Sequence, residues 1–344
     1  FGSDLIYDAA SGLYYGITDR GPGGGLVDFA PRVHAFSLNF DPVTHAPTGF
    51  VLQSTTIFKD ELGNVFSGYN PSLFNGNVST LGRSFDPEGL ARLPNGNFLV
   101  SDEYGPSVYE FKPDGTLVKR FDVSENLIPK QSNGTVNYVD GRPTITQGRQ
   151  DNRGYEGITV SNDGTKAYAI MQDPLVNEGN GNQGRRSRNV RIVEYNLATG
   201  KPERQFIYQL ESLNDINGRI DGTANDFGEN DQGRSIGASA IIAAADGSFL
   251  VIERDNRGRG VEDPGGNTAI GSKRIYRITL DGATDVSQVS LAGSNALPQG
   301  VVPVGKTLFL DIQAMLKAAG LNSVEKLEGV AFGPQLADGI FSLI

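Results

Sequence analysis

Three Glu-Gly pairs hold equivalent places along this chain: Glu88-Gly89, Glu156-Gly157 and Glu328-Gly329. Each opens a short apolar stretch, and Asp4 and Ser239 hold the same place before two further stretches of that kind. If the stretches surround one axis, Asp4, Glu88, Glu156 and Glu328 converge at one mouth although they are remote in sequence. Carboxylates gathered in that way repel and titrate upward unless a cation neutralises them. Oxygen donors suit a hard divalent cation, calcium first and magnesium second. The chain has no Cys and only His34 and His45 as imidazoles, which excludes thiolate and multi-histidine metal sites. The same Glu-Gly pairs are also compatible with a purely structural role, the carboxylate bonding the amides of a neighbouring strand and the glycine letting the backbone pass close to the axis.

A second set of polar residues ends the strand that follows each stretch: Asp19-Arg20, Asp102-Glu103-Tyr104, Gln172-Asp173 and Glu253-Arg254-Asp255. In a hairpin the end of the second strand lies beside the start of the first, so these residues are expected at the same mouth, with Asp19 joining the metal ligands. Glu103 and Glu253, with Asp102, are candidates for proton transfer, where a raised carboxyl pKa is useful. Arg20 and Arg254 could hold an anionic group bidentately, and Asn152-Arg153 are further candidates for substrate contact. Arginine–carboxylate pairing with no ligand is the alternative for both arginines.

The elements that must position these residues repeat. Residues 2–21, 86–105, 153–174, 236–256 and 326–344 each read as an apolar strand, a two-residue turn and a second strand. The turns are Ser11-Gly12, Asn95-Gly96, Asp163-Gly164, Asp246-Gly247 and Asp338-Gly339, and such pairs predict type I′ hairpins with positive φ at both residues. Outer hairpins are expected at 33–58, 108–122, 190–210 and 273–291. Consecutive hairpins of four antiparallel strands describe propeller blades. The expected fold is therefore all-β: one single-domain β-propeller over 1–344, with five readable blades and room for a sixth in 122–154 or 287–325. The repeats are spaced more widely than the ~40–50 residues of compact blades, so long loops must join them. One short helix is expected near 312–319, capped by Asp311 and ended by Gly320. The first and last strands read as parts of incomplete blades, which predicts further chain at both ends and residues 340–344 near residues 2–8 or an unpaired strand edge.

Composition narrows the partners. The chain has 344 residues, 45 of them Gly, and a formal net charge of −10. Its one basic cluster is Arg185, Arg186, Arg188 and Arg191, so no nucleic-acid partner is expected. The longest apolar run, Ala240 to Ala245, is far short of the ~18 residues of a membrane helix, so no transmembrane segment is expected. No Ser–His–Asp set is evident.

The run DPEGLARLPNGNFLVSDEYGPSVYEFKPDG (86–115) resembles the bacterial phytase-like family, described by its esterase-like activity of phytase. The segments NRGYEGITVSNDGTKAYAIMQDPL (152–175), FLVIERD (249–255), KRIYRITL (273–280) and KLEGVAFGP (326–334) match its later blocks in order. The resemblance implies a β-propeller, export to the periplasm or medium, and calcium- or metal-assisted hydrolysis of esters or phosphoesters. It carries Glu88, Asp102, Glu103, Glu156, Glu253, Arg254 and Glu328 as functional residues, with Asp4 and Asp19 in a weaker first block. Ser239 departs from the acidic pattern and leaves a gap in the ligand ring. The family's last block continues beyond a position such as Ile344. The leading expectation is an exported metal-assisted hydrolase acting on a small anionic or ester substrate. The rival is a non-catalytic propeller binding a ligand or protein at the same mouth, and the oligomeric state is open.

Overall fold

The computed structural model describes residues 2–41, 43–336, 339 and 341–344 and places four four-stranded antiparallel sheets in a ring. The first blade is β1 (Asp4–Asp8), β2 (Leu13–Ile17), β3 (Arg32–Phe40) and β4 (Pro47–Ile57). The second is β5 (Pro87–Arg92), β6 (Phe98–Asp102), β7 (Ser107–Phe111) and β8 (Leu117–Arg120). A two-stranded ribbon, β9 (Lys130–Gln131) and β10 (Ile145–Gln147), precedes the third blade. That blade is β11 (Tyr155–Val160), β12 (Lys166–Met171), β13 (Asn189–Asn196) and β14 (Lys201–Gln209). The fourth is β15 (Ile236–Ala243), β16 (Phe249–Asp255), β17 (Lys273–Thr279) and β18 (Gly305–Asp311), and a last hairpin pairs β19 (Phe332–Gln335) with β20 (Phe341–Leu343).

The inner strands pass one another closely enough to require glycine. A Cβ on Gly89 would stand 2.6 Å from the Ile158 amide nitrogen, and one on Gly157 would stand 2.9 Å from that of Ile241. A Cβ on Gly329 would lie 3.0 Å from the Asp4 Cα. Asp4 Oδ2 accepts from the Leu90 amide at 2.8 Å, and the Ser239 hydroxyl donates to the Leu327 carbonyl at 2.6 Å. These contacts link the first blade to the second, third and fourth in turn, then to the segment leading into β19, and back to β1. The seams between blades are apolar. Phe58, Phe66, Phe85, Tyr109 and Phe111 fill the seam of the first two blades, with ring centroids 4.4 to 6.2 Å apart. Ala240, Leu250, Ile252 and Ile275 pack with Val330 between the fourth blade and the last hairpin. Burying each large apolar side chain contributes about 1.5–3 kcal/mol.

Three expectations change. The outer partner of β17 is β18, with Arg274 opposite Asp311, and not the stretch 280–291. That stretch crosses to the third blade instead: Val286 N donates to Gln205 O at 2.8 Å, and Val286 and Leu291 pack on Ile207. Its alternating apolar residues are buried against another blade's outer strand, a pattern that cannot be told from strand pairing in sequence. Consequently 287–325 supplies the fourth strand of the fourth blade and no sixth blade, while 122–154 contributes only the short ribbon among the described residues. Second, the hairpin turns are not type I′. Gly12, Gly96, Gly164 and Gly247 have φ of +70°, +85°, +68° and +83°, whereas Ser11, Asn95, Asp163 and Asp246 do not share the positive φ. With Gly96 N bonded to Leu93 O and Leu93 N to Asn97 O, the tip is a type I turn closed by a left-handed glycine. The turn residue Asp338 lies outside the described residues. Third, the helix expected near 312–319 is α3 (Ile312–Ala318), capped by Asp311 as expected, but α1 (Pro71–Asn75) and α2 (Leu213–Asn217) also form. At five residues each they are too short to show a helical period. As for the chain's last residues, Ile340 lies outside the described ones, and β19 runs beside the first blade, where a Cβ on Gly333 would meet Tyr14 Oη at 3.3 Å.

The inner-strand contacts make a direct prediction. Gly157→Ala puts a methyl group against the backbone of Ala240 and Ile241, and such overpacking costs about 1–3 kcal/mol. Thermal unfolding should shift down by several degrees, and an unchanged midpoint would contradict the close approach.

Candidate active site

The carboxylates of the mouth owe their direction to a shared irregularity. In β5 the register skips from Pro87 opposite Asp102 to Gly89 opposite Ser101, so Glu88 is the extra residue of a β-bulge. Glu156 is the extra residue between Tyr155 and Gly157, and Ser239 is that between Ala238 and Ala240. A bulge re-aims a side chain that regular alternation would send elsewhere. In β1 the register is regular, and Asp4 behaves differently: its oxygens accept from the Leu5 and Leu90 amides, both at 2.8 Å. Asp4 thus acts as the closure device that the sequence allowed, with both oxygens engaged by backbone amides.

Asp19, Asp86 and Glu88 form the tightest group, with one carboxylate oxygen from each lying within 4.8 Å of the others. Asp86 is fully buried; its Oδ1 accepts from Arg20 N at 2.9 Å, and Arg20 Nη1 lies 3.3 Å from Oδ2. Asp86 Oδ2 nevertheless makes no hydrogen bond. Glu88 is buried and has no hydrogen bond or ion pair among the described residues. Burial holds its carboxyl well above the ordinary value, and Asp86, Glu156, Glu103 and Glu328 push it further. Such hard, under-coordinated oxygens fit a divalent cation, and Asp19, Asp86 and Glu88 are the residues that would hold it.

Around this group Arg20, Arg153, Arg254 and Lys326 each already have a carboxylate. Glu103 is buried and raised by desolvation, then by Glu156 and Asp86, against the opposing pull of Arg153 and Arg20. Asn152 donates its amide to Glu103 Oε2 and accepts from Arg20 Nη1, and its own backbone is left-handed at φ +50°. Arg153 lies 3.4 Å from Asp173 and donates to Gln172, which donates in turn to Glu156 Oε1 at 2.6 Å. Arg254 bridges Glu156 at 3.5 Å and Glu328 at 3.1 Å, and Lys326 stands 3.7 Å from Glu328. Burial lifts Glu156 to about 8, with Glu328 adding to the shift, and its Oε2 has no hydrogen bond.

Two candidates stand apart from that group. Glu253 lies on the opposite face of β16 from Arg254, as adjacent strand residues must. It accepts from Tyr208 Oη at 2.7 Å and from the Glu211 amide at 2.6 Å, and it pairs with Lys306. It knits the third and fourth blades and does not join the mouth, which corrects the expectation from its place at the strand end. Asp102 ends β6 with its Oδ1 accepting from the amides of Asp86 and Tyr104, at 3.0 and 3.1 Å. It shapes the turn that carries Glu103. Asp86, by contrast, escaped the repeat-based reading because the residue two before the equivalent position is Gly154 in the third blade, before Glu156, and Gly237 in the fourth, before Ser239. Its signal was local, an acidic residue two before Glu88 in DPEG.

Desolvation raises Asp102 to about 8. The unfolded carboxyl ionises near ~4, so the folded protein binds the proton more tightly. This group's contribution to stability is then present in acid and is lost as pH rises from about 4 to about 8. Asp102→Asn keeps the acceptor for both amides and cannot ionise. In chelator, its melting temperature relative to wild type should therefore rise steadily from pH 5 to pH 8. A difference that shrinks over that range would refute the protonated assignment.

An uncharacterized secreted protein of Arthroderma benhamiae is 26% identical over 376 residues, covering 90% of this chain and 71% of that protein. Among solved structures, Kuenenia stuttgartiensis hydrazine synthase is 11% identical with a TM-score of 0.34, over 100% of this chain and 95% of that one. A luciferin-regenerating enzyme is 14% identical with a TM-score of 0.33, over 99% and 87%. These structural likenesses are too remote to bear on activity. No helix among the described residues is long and apolar enough to cross a membrane. The family model described as phytase-like, esterase-like activity of phytase, matches residues 2–344, and the chain belongs to that family.

Proposed function

We propose that the protein is an exported, cation-assisted ester hydrolase whose reaction takes place at the mouth ringed by Glu88, Glu103, Glu156 and Glu328. The observation that carries this reading is the convergence of the Asp19, Asp86 and Glu88 oxygens beside Glu103. Export is supported by the secreted relative. A calcium or, second, a magnesium ion held by Asp19, Asp86 and Glu88 would polarise a substrate oxygen and make water a better nucleophile.

The chain's own groups supply the rest. Glu103 is the proton carrier, taking a proton from water and returning it to a leaving oxygen; burial, then Glu156 and Asp86, hold its carboxyl above the ordinary value. Asn152 holds the Glu103 carboxylate through its amide and ties it to Arg20, so that both keep one orientation. Arg20 and Arg254 remain at the mouth with Asp86 and with Glu156 and Glu328, and Arg153 braces Asp173. Glu253 and Asp102 have no direct part.

Calcium titrated into chelated protein should bind at one site and raise the unfolding temperature by several degrees, since ligand at 100 times its Kd adds about 2.7 kcal/mol. Glu88→Gln should remove that shift. Glu103→Gln should retain it while lowering kcat on 4-nitrophenyl esters by ~10²–10⁴. Cation binding without turnover of any ester would favour the non-catalytic, ligand-binding propeller.

A further inference from the structure

We infer that this site takes an uncharged carboxylic ester, not a phosphate ester and least of all a polyphosphate; the inference rests on the hydrolase reading above. Charge placement favours the uncharged ester. Phosphoryl transfer spreads negative charge over three equatorial oxygens, and proteins meet it with a clamp of free arginines, lysines and metal ions. Here the cations of the mouth are already neutralised. Arg20 lies against Asp86, Arg153 against Asp173, Arg254 against both Glu156 and Glu328, and Lys326 against Glu328. Glu88 belongs to the cation with Asp19 and Asp86, and Glu156 Oε2, buried without a hydrogen bond, offers an acceptor and no positive charge. A dianionic substrate entering this place would have to break an arginine–carboxylate pair or compete with the carboxylates for the cation. A chain of net charge −10 gives it no long-range attraction either.

The neighbouring space fits the same conclusion. A recess of about 460 Å³ opens beside the mouth, within the size range of small-molecule sites. It is lined by Ser3, Thr18, Asp19, Pro22, Phe29 and Glu328, and thus shares Asp19 with the cation ligands. Its lining contains two carboxylates, an aromatic ring and two hydroxyl groups, with no lysine or arginine. Arg32 is spent on stacking against the Phe29 ring, 4.5 Å from its centroid. Such walls accept an uncharged group that stacks on Phe29 and donates hydroxyl hydrogens to Asp19 or Glu328, and they repel a second phosphate.

The step is simple in balance. Water adds to the ester carbonyl carbon as its proton passes to Glu103. The bond from that carbon to the alkoxy oxygen then breaks, the oxygen takes the proton from Glu103, and acid and alcohol leave.

The test uses the calcium-loaded protein with 4-nitrophenyl acetate, 4-nitrophenyl phosphate and inositol hexakisphosphate. Each rate is taken over the Glu103→Gln background and divided by the uncatalysed rate in the same buffer, which removes the intrinsic reactivity of the esters. Rate enhancement is expected for the acetate, at least tenfold above that for the phosphate, with no release of phosphate from the inositol ester. Inorganic phosphate should not inhibit acetate turnover competitively. Glu328→Gln frees Lys326 and half of the Arg254 pairing, and it should narrow the preference and introduce inhibition by phosphate. Greater enhancement on either phosphate substrate would overturn the inference while leaving the hydrolase reading intact. No enhancement on any of the three, with calcium bound, would overturn both.

Discussion

Everything else in this molecule depends on how closely its inner strands pass. Gly89 lies against Ile158, Gly157 against Ile241, and Gly329 against Asp4 and Leu5, at separations where no Cβ fits. Each contact brings the strand of one blade onto that of the next, and the residue before each glycine is a glutamate. Close approach therefore does two things at once. It closes the ring and it carries Glu88, Glu156 and Glu328 to one end of it. The bulges at Glu88 and Glu156 keep the glycine in the strand interface while turning the acid toward the mouth.

Bringing acids together inside a protein is costly, and the structure offsets that cost unevenly. Asp4 gives its charge to backbone amides, Asp86 takes Arg20, and Glu156 and Glu328 share Arg254. Glu88 receives nothing of the sort among the described residues. Buried, unpaired acids shift their pKa upward or wait for a cation, and the carboxyls here do shift upward. The same pairing that stabilises the mouth also removes its arginines from substrate binding. Stability of the ring and choice of substrate are in this sense one electrostatic problem.

The propeller was legible in the sequence because its signals are local: apolar stretches of strand length, each broken by an Asx-Gly or Ser-Gly turn. The turn geometry was not, because Asn95-Gly96 and Asp163-Gly164 serve a type I turn with a left-handed glycine as readily as a type I′ turn. Nor was the outer strand of the fourth blade, since Val286 and Leu291 carry strand-like alternation but are buried by packing on Ile207. At the site, repetition located Glu88, Glu156 and Glu328, and strand ends located Glu103, Arg20 and Arg254. Repetition could not reveal Asp86, which has a glycine at its place in the third and fourth blades. It also could not distinguish Glu253 from Arg254, whose side chains leave the strand on opposite faces.

The account centres on one cation between the first and second blades. The most direct measurement is a crystal structure of the calcium-loaded protein, with the ion identified by its anomalous scattering. The account predicts one strong site at the mouth, with oxygens of Asp19, Asp86 and Glu88 about 2.3–2.6 Å from it. A calcium-saturated crystal with no ion at these three carboxylates, or with its ion bound elsewhere, would contradict it.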